Sequence, residues 1–148
     1  MLRYIPPLLT PALFKVMMEM GHGETLLLCD ANYPGTSGGG ERIVLTNCTV
    51  LEVLEAVLVF FPLDVSVACA ATVMASSRES GCFARYQPLV ERCGSGLKAV
   101  ERYEFYACAG NAAAKVITTD FAKGGNILLQ KGVVSAEDTA RERLSAWR

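Results

Sequence analysis

The sequence Thr25-Leu26-Leu27-Leu28-Cys29 is an apolar run that ends at a carboxylate, Asp30. A short run without polar alternation predicts a strand covered on both faces, as in the middle of an α/β sheet. Ligands in such sheets collect beyond the carboxyl ends of the strands, which makes Asp30 a candidate binding residue. Its carboxylate could accept hydrogen bonds from two vicinal sugar hydroxyls, or it could start the turn Ala31-Asn32-Tyr33-Pro34 by bonding its own backbone.

A helix is predicted directly before this strand. Thr10 suits the N-cap and Pro11 the first helical position, and apolar side chains then recur at helical spacing up to Met20. Gly21 is a natural stop, which leaves His22, the only histidine of the chain, just beyond the helix. The negative end of the helix dipole favours imidazolium there, so His22 is a candidate acid–base group. A helix-capping histidine without chemistry is the alternative.

Helices and strands alternate along the rest of the chain. Helices are predicted over residues 49–61, where Thr49 and Glu52 have capping-box spacing, 83–92 and 104–113; strands are predicted over residues 42–45, 65–74, 98–102, 115–118 and 127–131. This alternation predicts an α/β fold of three layers, with a central, largely parallel or mixed sheet and helices on both faces. Residues 1–133 are expected to form this domain, and residues 134–148 an appended, charged C-terminal helix.

The composition favours a folded protein that binds neither nucleic acid nor membrane. With 51% hydrophobic residues, the 148-residue chain has enough apolar material for one core. Its 14 basic and 15 acidic residues nearly cancel, so electrostatics give no support to a nucleic-acid partner. No segment supplies the roughly 20 uninterrupted apolar residues that a membrane span needs.

Six cysteines are spread along the chain, at Cys29, Cys48, Cys69, Cys82, Cys93 and Cys108. They contain no Cys-x-x-Cys pair, and a lone histidine cannot complete an ordinary zinc site, so we expect no metal. Free, mostly buried thiols in a reducing cytoplasm are the simplest explanation, and we expect a cytoplasmic protein. The carboxylate of Asp30 should raise the pKa of the neighbouring Cys29 thiol, which argues against a nucleophilic role.

Two further segments fall at predicted strand ends, on the same edge of the sheet as Asp30. The first, Arg102-Tyr103-Glu104-Phe105-Tyr106, combines a guanidinium with aromatic rings that could stack on the apolar faces of sugars. Core packing is the other explanation for such rings. The second, Gly124-Gly125-Asn126, matches no phosphate-binding or dinucleotide-binding pattern, so no nucleotide cofactor is expected.

Taken together, these segments resemble the sugar mutarotase family that contains L-fucose mutarotase and D-ribose pyranase, and they are closer to the fucose branch. The resemblance covers nearly everything up to Val133. It is carried by Pro7-Leu8-Leu9-Thr10-Pro11, Met20-Gly21-His22-Gly23-Glu24, Asp30-Ala31-Asn32-Tyr33-Pro34, Phe61-Pro62-Leu63-Asp64, Arg102-Tyr103-Glu104-Phe105-Tyr106 and Asn126-Ile127-Leu128-Leu129-Gln130-Lys131-Gly132-Val133.

The resemblance implies an aldose mutarotase that interconverts the anomers of L-fucose or a related monosaccharide by acid–base ring opening, without a cofactor. It implies that His22 is the general acid. The expected substrate-binding positions are Asp30, Arg102, Tyr106, Gly124 and Asn126. It also implies a ring-shaped homo-oligomer, often a decamer, with active sites near subunit interfaces.

The chain departs from the family at Gly124, where the family usually has an aromatic residue, most often tyrosine. Tyr33, Tyr103 and Tyr106 are the candidates to replace that hydroxyl. The departure motivates an alternative, a non-catalytic monosaccharide-binding protein of the same fold. A third possibility is a structural protein whose assembled ring is itself the product, which the presence of His22 and Asp30 disfavours.

Overall fold

The run that follows His22 forms the central strand of the protein. In the computed structural model, which describes residues 2–139, this strand (β1) spans Thr25–Cys29 as predicted. The four residues from Leu26 to Cys29 are fully buried, because strands flank β1 on both sides and helices cover both faces of the sheet.

The other elements alternate as the sequence predicts, which confirms the α/β class. The remaining strands are Glu41–Val44 (β2), Ala71–Met74 (β3), Leu97–Val100 (β4), Ala114–Ile117 (β5) and Ile127–Gln130 (β6). The α-helices within the described residues are Pro11–Glu19 (α1), Val50–Leu58 (α2), Cys82–Arg92 (α3) and Arg102–Ala109 (α4). Two short 3-10 helices span Ala75–Ser77 and Glu137–Thr139.

The six strands form one mixed sheet in the order β2-β5-β1-β6-β3-β4. Strand β6 runs antiparallel to both of its neighbours, β1 and β3, while all other neighbouring strands are parallel. Ile127, the first residue of β6, pairs with Leu28 near the end of β1 and with Val73 near the end of β3. The start of β6 therefore shares one sheet edge with the carboxyl ends of the parallel strands.

Apolar side chains fill the space on both faces of the sheet, which confirms the three layers. Leu26 and Leu28 belong to the larger cluster, together with buried side chains of α1, α2 and α3. Leu27 and Cys29 point to the other face, where they belong to a smaller cluster with Phe105 of α4. Because alternate side chains of β1 enter opposite layers, both layers depend on the same five-residue strand.

The predicted starts of two helices are confirmed by their caps. The Thr10 side chain accepts a hydrogen bond from the Leu13 backbone N–H at 3.3 Å. At the start of α2, the Glu52 N–H donates to Thr49 Oγ1 at 3.2 Å, and Glu52 Oε2 accepts from the Thr49 N–H at 2.7 Å. This reciprocal pair is the capping box that the spacing indicates.

The predicted strand over residues 65–74 is wrong in its first part, because only Ala71–Met74 is a strand. The Asp64 carboxylate accepts hydrogen bonds from the Ser66 N–H at 2.9 Å and from the Ser66 hydroxyl at 2.6 Å. These bonds fold the backbone into a turn and leave Val65 70% exposed. The apolar character of the segment thus concealed a side-chain-directed turn.

The cysteines of the chain are free thiols, as expected. Burial, and secondarily the charge of Asp30, raises the pKa of the Cys29 thiol, which keeps it unreactive. Between residues 2 and 139 no helix is long and apolar enough to cross a membrane. Most of the predicted C-terminal helix, residues 140–148, lies outside the described residues, so the boundary at residue 133 stays a prediction.

Candidate active site at the carboxyl edge of the sheet

A cavity of about 360 Å³ opens at the edge of the sheet where the parallel strands end. Its volume is at the lower end of the range for small-molecule sites. The walls come from the segments after β1, β3 and β4 and from the turn before β6. They consist of Asp30, Asn32, Tyr33, Met74, Ala75, Ser76, Glu101, Arg102, Tyr106, Lys123, Gly124 and Asn126. The structure thus brings together five of the six site residues expected from the sequence.

Asp30 and Asn126 form a buried pair at the base of the cavity, 4% and 3% exposed. The Asp30 backbone N–H donates to Asn126 Oδ1 at 2.8 Å, and Asn126 Nδ2 donates to Asp30 Oδ2 at 3.0 Å. The Asn32 N–H donates to Asp30 Oδ1 at 2.9 Å. These three bonds fix both side chains, and they show that Asp30 has the turn role as well as a place in the cavity.

The environment of Asp30 makes its carboxyl group a stronger base than an exposed aspartate. Burial raises the pKa of Asp30, and the hydrogen bonds from Asn32, Gly125 and Asn126 oppose this effect without cancelling it. Asp30 lines the cavity, and because each carboxylate oxygen can accept more than one hydrogen bond, the group can also accept bonds from hydroxyl groups of a ligand.

Aromatic rings form one side of the cavity. Tyr33 packs edge-on against Tyr106, with 5.7 Å between the ring centroids, and against Phe105, with 6.5 Å. Burial raises the pKa of Tyr33 to about 12, so its phenol stays protonated at neutral pH and can donate a hydrogen bond. This wall offers both an apolar surface and hydroxyl groups.

Arg102 begins α4 and lies at the rim of the cavity. Its guanidinium is held by Tyr103, whose hydroxyl accepts a hydrogen bond from Arg102 Nη2 at 3.0 Å and whose ring lies 4.8 Å below the guanidinium. Tyr103 itself is 68% exposed and does not line the cavity. Of the three tyrosines considered as replacements for the aromatic residue at position 124, only Tyr33 and Tyr106 lie in the cavity wall.

Gly124 has a left-handed backbone with φ +66°, which glycine adopts at little cost. A Cβ atom at this position would overlap the Oγ atom of Ser76 and lie 3.2 Å from the Ser76 Cβ. The serine hydroxyl therefore occupies the space that the Cβ atom of a side chain at residue 124 would need.

His22 is the one expected site residue that does not line the cavity. His22 lies before β1, whereas Asp30 comes directly after this strand. The five residues of β1 alone span about 13 Å at roughly 3.3 Å per residue. The structure therefore places His22 and Asp30 at opposite ends of the sheet, and the two side chains of one chain do not act on the same atom.

A second polar cluster surrounds His22. Its Nε2 atom lies 2.9 Å from Asp64 Oδ2, and its side chain is 52% exposed. The same carboxylate oxygen accepts a hydrogen bond from Gln130 Nε2 at 3.0 Å. Hydrogen bonds from Ser66, with a smaller contribution from His22, lower the pKa of Asp64 to about 2. Asp64 is thus an ionised, fixed partner for an accessible imidazole.

Sequence reasoning missed Ser76, Glu101 and Lys123 as cavity residues and Asp64 as the partner of His22. No motif marks the first three, because they enter the cavity through turns whose path the sequence alone does not give. The partnership of Asp64 with His22 joins residues 42 positions apart. In residues 2–139, no three histidine, cysteine, aspartate or glutamate side chains gather as metal ligands would.

Comparison with known proteins gives one consistent family. The model of the RbsD / FucU transport protein family matches residues 3–134. The fucose mutarotase of Bos taurus is 37% identical over 148 residues, which cover 93% of this chain and 97% of the bovine protein.

Solved structures show the same fold. The fucose mutarotase of Streptococcus pneumoniae in complex with L-fucose has a TM-score of 0.83 and 32% identity, over 90% of this chain and all of that one. Bacillus subtilis RbsD complexed with D-ribose has a TM-score of 0.76, over 86% of this chain and 95% of that one. At 19% identity, this second match supports the fold alone.

Proposed function

The chain belongs to the RbsD / FucU transport protein family, and on that premise we propose that it is a sugar mutarotase acting on L-fucose. The observation that carries the proposal is the cavity, where a buried carboxylate, a guanidinium and an aromatic wall converge. This is the combination that recognises a small polyhydroxylated ring. The match to fucose mutarotases over nearly the whole chain supports the same activity.

The reaction opens and closes one carbon–oxygen bond, and proton transfers are the catalysis that it needs. A proton leaves the anomeric hydroxyl while another reaches the ring oxygen, and the bond between the anomeric carbon and the ring oxygen breaks to give the open aldehyde. Rotation about the adjacent carbon–carbon bond presents the other face of the carbonyl, and the reverse transfers close the ring as the other anomer. Positioned acid–base groups accelerate such steps by about 10²–10⁴-fold.

The cavity residues divide the work of holding the sugar. The Asp30 carboxylate, fixed by Asn126 and Asn32, accepts hydrogen bonds from sugar hydroxyls. Arg102 donates to oxygen atoms from the rim, and the rings of Tyr33 and Tyr106 contact the apolar face of the sugar. The raised pKa of Asp30 brings it closer to the range in which a carboxyl group exchanges protons at neutral pH.

His22 is the proposed general acid, and Asp64 orients it. An ionised Asp64 accepts the hydrogen bond of the Nε2–H group, which fixes the ring tautomer and leaves Nδ1 as the nitrogen that exchanges protons. The exposed position of the imidazole suits a group that serves a site outside its own chain.

Because His22 lies at the opposite end of the sheet from the cavity, we propose that two copies of the chain build each active site. The chain then forms a ring-shaped homo-oligomer, with a decamer as the expected order. An apolar groove of about 820 Å³ beside α1 supports self-association, since its lining includes the exposed side chains of Leu2 and Met18 and the half-buried Phe14. We also propose a cytoplasmic location, which the free thiols support.

Saturation-transfer NMR on an equilibrated L-fucose solution tests the activity directly. We expect catalytic amounts of the wild-type protein to accelerate exchange between the anomer signals, and His22→Ala to reduce that acceleration by about 100-fold or more. Glu55→Ala, an exposed change on α2, is the control and should exchange anomers as the wild type does. A wild-type protein that accelerates no sugar of a monosaccharide panel contradicts the proposal.

The NMR experiment combined with calorimetry distinguishes a mutarotase from the second candidate function, a non-catalytic sugar-binding protein. Calorimetry that finds saturable L-fucose binding, without any accelerated exchange, would identify a non-catalytic sugar-binding protein. The feature that favours this alternative is Gly124, which contributes no side chain to the cavity wall.

A further inference from the structure

We propose that Ser76 determines part of the sugar specificity, through a hydrogen bond between its side-chain hydroxyl and one hydroxyl group of the bound monosaccharide. Because Gly124 has no side chain, it leaves room for the serine hydroxyl. The inference rests on the proposed function, because it takes the cavity at the sheet edge to be the sugar site.

The fold places Ser76 opposite Asp30 across the cavity. Ser76 lies in the 3-10 helix Ala75–Ser77, which directly follows β3, and it lines the cavity. Strand β6 separates β1 from β3, so the residue before β6, Asn126, lies between the segments that carry Asp30 and Ser76. A ring bound over Asn126 therefore meets the carboxylate on one side and the serine hydroxyl on the other.

The backbone at Gly124 is fitted to this serine. A Cβ at residue 124 would overlap Ser76 Oγ, and it would lie 3.2 Å from Ser76 Cβ and 3.3 Å from the Ser77 backbone nitrogen. Any side chain at residue 124 would thus have to displace the Ser76 hydroxyl. In this chain the wall carries a hydroxyl from residue 76 in place of a side chain from residue 124.

The Ser76 hydroxyl is also available. Its Oγ atom makes no hydrogen bond with the other residues between 2 and 139. The Oγ atom of the neighbouring Ser77 also has no partner in the described part of the chain, but it is fully buried and Ser77 does not line the cavity. A serine hydroxyl can donate and accept at once, as can each sugar hydroxyl.

The charges around the cavity favour a neutral ligand. Asp30 and Glu101 contribute two carboxylates, and Arg102 and Lys123 contribute two cations. Because the acidic and basic groups balance, neither a sugar phosphate nor a sugar acid gains a net attraction. The group that Ser76 contacts is therefore assigned to a neutral sugar hydroxyl.

Calorimetric titration with L-fucose and its 2-, 3- and 4-deoxy analogues tests the assignment. We expect Ser76→Ala to weaken L-fucose binding by about 2- to 10-fold, the loss typical of one neutral hydrogen bond. For one analogue, which lacks the hydroxyl that Ser76 contacts, Ser76→Ala and the wild type should bind equally. Ser77→Ala is the matched control and should bind all four sugars as the wild type does.

Gly124→Ala provides an independent variant. Its methyl group should turn the Ser76 hydroxyl away and cause a similar loss of L-fucose affinity, so Gly124→Ala with Ser76→Ala should bind no more weakly than Gly124→Ala alone. Thermal melting shows which variants fold. If Gly124→Ala does not fold, the binding of Ser76→Ala decides between the outcomes.

Two outcomes overturn the assignment in different ways. If the wild type exchanges anomers but Ser76→Ala binds L-fucose and all analogues unchanged, the Ser76 assignment is wrong and the proposed function stands. If the wild type neither binds nor exchanges any of these sugars, the proposed function fails and the assignment fails with it.

Discussion

At the scale of single residues, the site depends on carboxylates whose surroundings differ. Asp30 is buried beside an uncharged amide, and burial raises its pKa. Asp64 accepts hydrogen bonds from Ser66, Gln130 and His22, and its pKa falls to about 2. One carboxyl group is therefore moved toward proton exchange near neutral pH, and the other is kept ionised as a fixed acceptor.

The lowered pKa of Asp64 predicts how acid affects stability. Its pKa falls from 3.8 to about 2 in the folded protein, so its ionised form contributes stability above about pH 4 that is lost as the pH falls toward 2. Asp64→Asn cannot ionise and lacks this contribution. Between about pH 5 and about pH 2.5, the free energy of unfolding in urea should therefore fall less for Asp64→Asn than for the wild type.

Ser66→Ala gives the control for this prediction, because Ser66 is the largest cause of the shift. The variant should lose part of the acid-dependent contribution and lie between the wild type and Asp64→Asn. Parallel pH profiles for all three proteins would show that Asp64 is not held in its ionised form by these bonds.

Residue positions could be predicted where a strand end fixes them. Asp30, Arg102 and Asn126 follow or precede predicted strands at one edge, and the structure brings them to one cavity. Ser76 could not be predicted, because its place depends on a 3-10 turn and on the left-handed backbone at Gly124. The separation of His22 from the cavity could not be predicted either, because it depends on β1 lying between His22 and Asp30 in the folded sheet.

At the scale of elements, the end of α1 is held by a buried lysine. Lys131 Nζ donates to the carbonyl oxygens of Met17 and Met20, each at 2.6 Å, and lies 5.9 Å from the centre of the Phe61 ring. Burial lowers the pKa of Lys131. The lysine satisfies carbonyl groups that a helix end otherwise leaves unpaired, directly before the segment that carries His22.

We predict that Lys131→Met destabilises the protein by about 2 kcal/mol, because the two carbonyl groups lose a charged donor and remain shielded from water. Equilibrium unfolding in urea measures the change. Lys98→Met, at an exposed position of β4, should alter stability by less than about 0.5 kcal/mol. Equal stability of Lys131→Met and the wild type would mean that water replaces the lysine at the helix end.

The elements themselves were predictable to different degrees. The capping residues Thr10 and Thr49 mark helix starts through local hydrogen bonds, and both helices begin where these residues predict. The segment from Val65 to Ala70 has the apolar composition of a strand, but the Asp64–Ser66 turn overrides that preference. The helix starts could be predicted because their side-chain hydrogen bonds belong to known capping motifs. The turn could not, because the apolar composition of the segment favoured a strand.

At the scale of the whole molecule, the antiparallel strand β6 creates the site. Alternating helices and strands indicate an α/β sheet, but they do not show that β6 inserts between β1 and β3 in the opposite direction. That insertion brings the start of β6, with Asn126, beside the end of β1, with Asp30. It also brings Gln130, at the end of β6, to Asp64 and the His22 cluster.

The fold puts the cavity and His22 at opposite ends of one sheet, so the function proposed above requires that copies of the chain combine. Subunit complementation tests this claim directly. His22→Ala removes the histidine and keeps the cavity. Asp30→Ala removes the cavity carboxylate and keeps the histidine.

The decisive measurement is the rate of L-fucose anomer exchange, by saturation-transfer NMR, in an equal mixture of His22→Ala and Asp30→Ala chains assembled together. Each variant alone should be nearly inactive, with its fold checked by thermal melting. Random mixing pairs an intact histidine with an intact cavity in about a quarter of the sites, so the mixture should recover about a quarter of the wild-type rate. A mixture no more active than its separate variants would contradict an active site shared between chains.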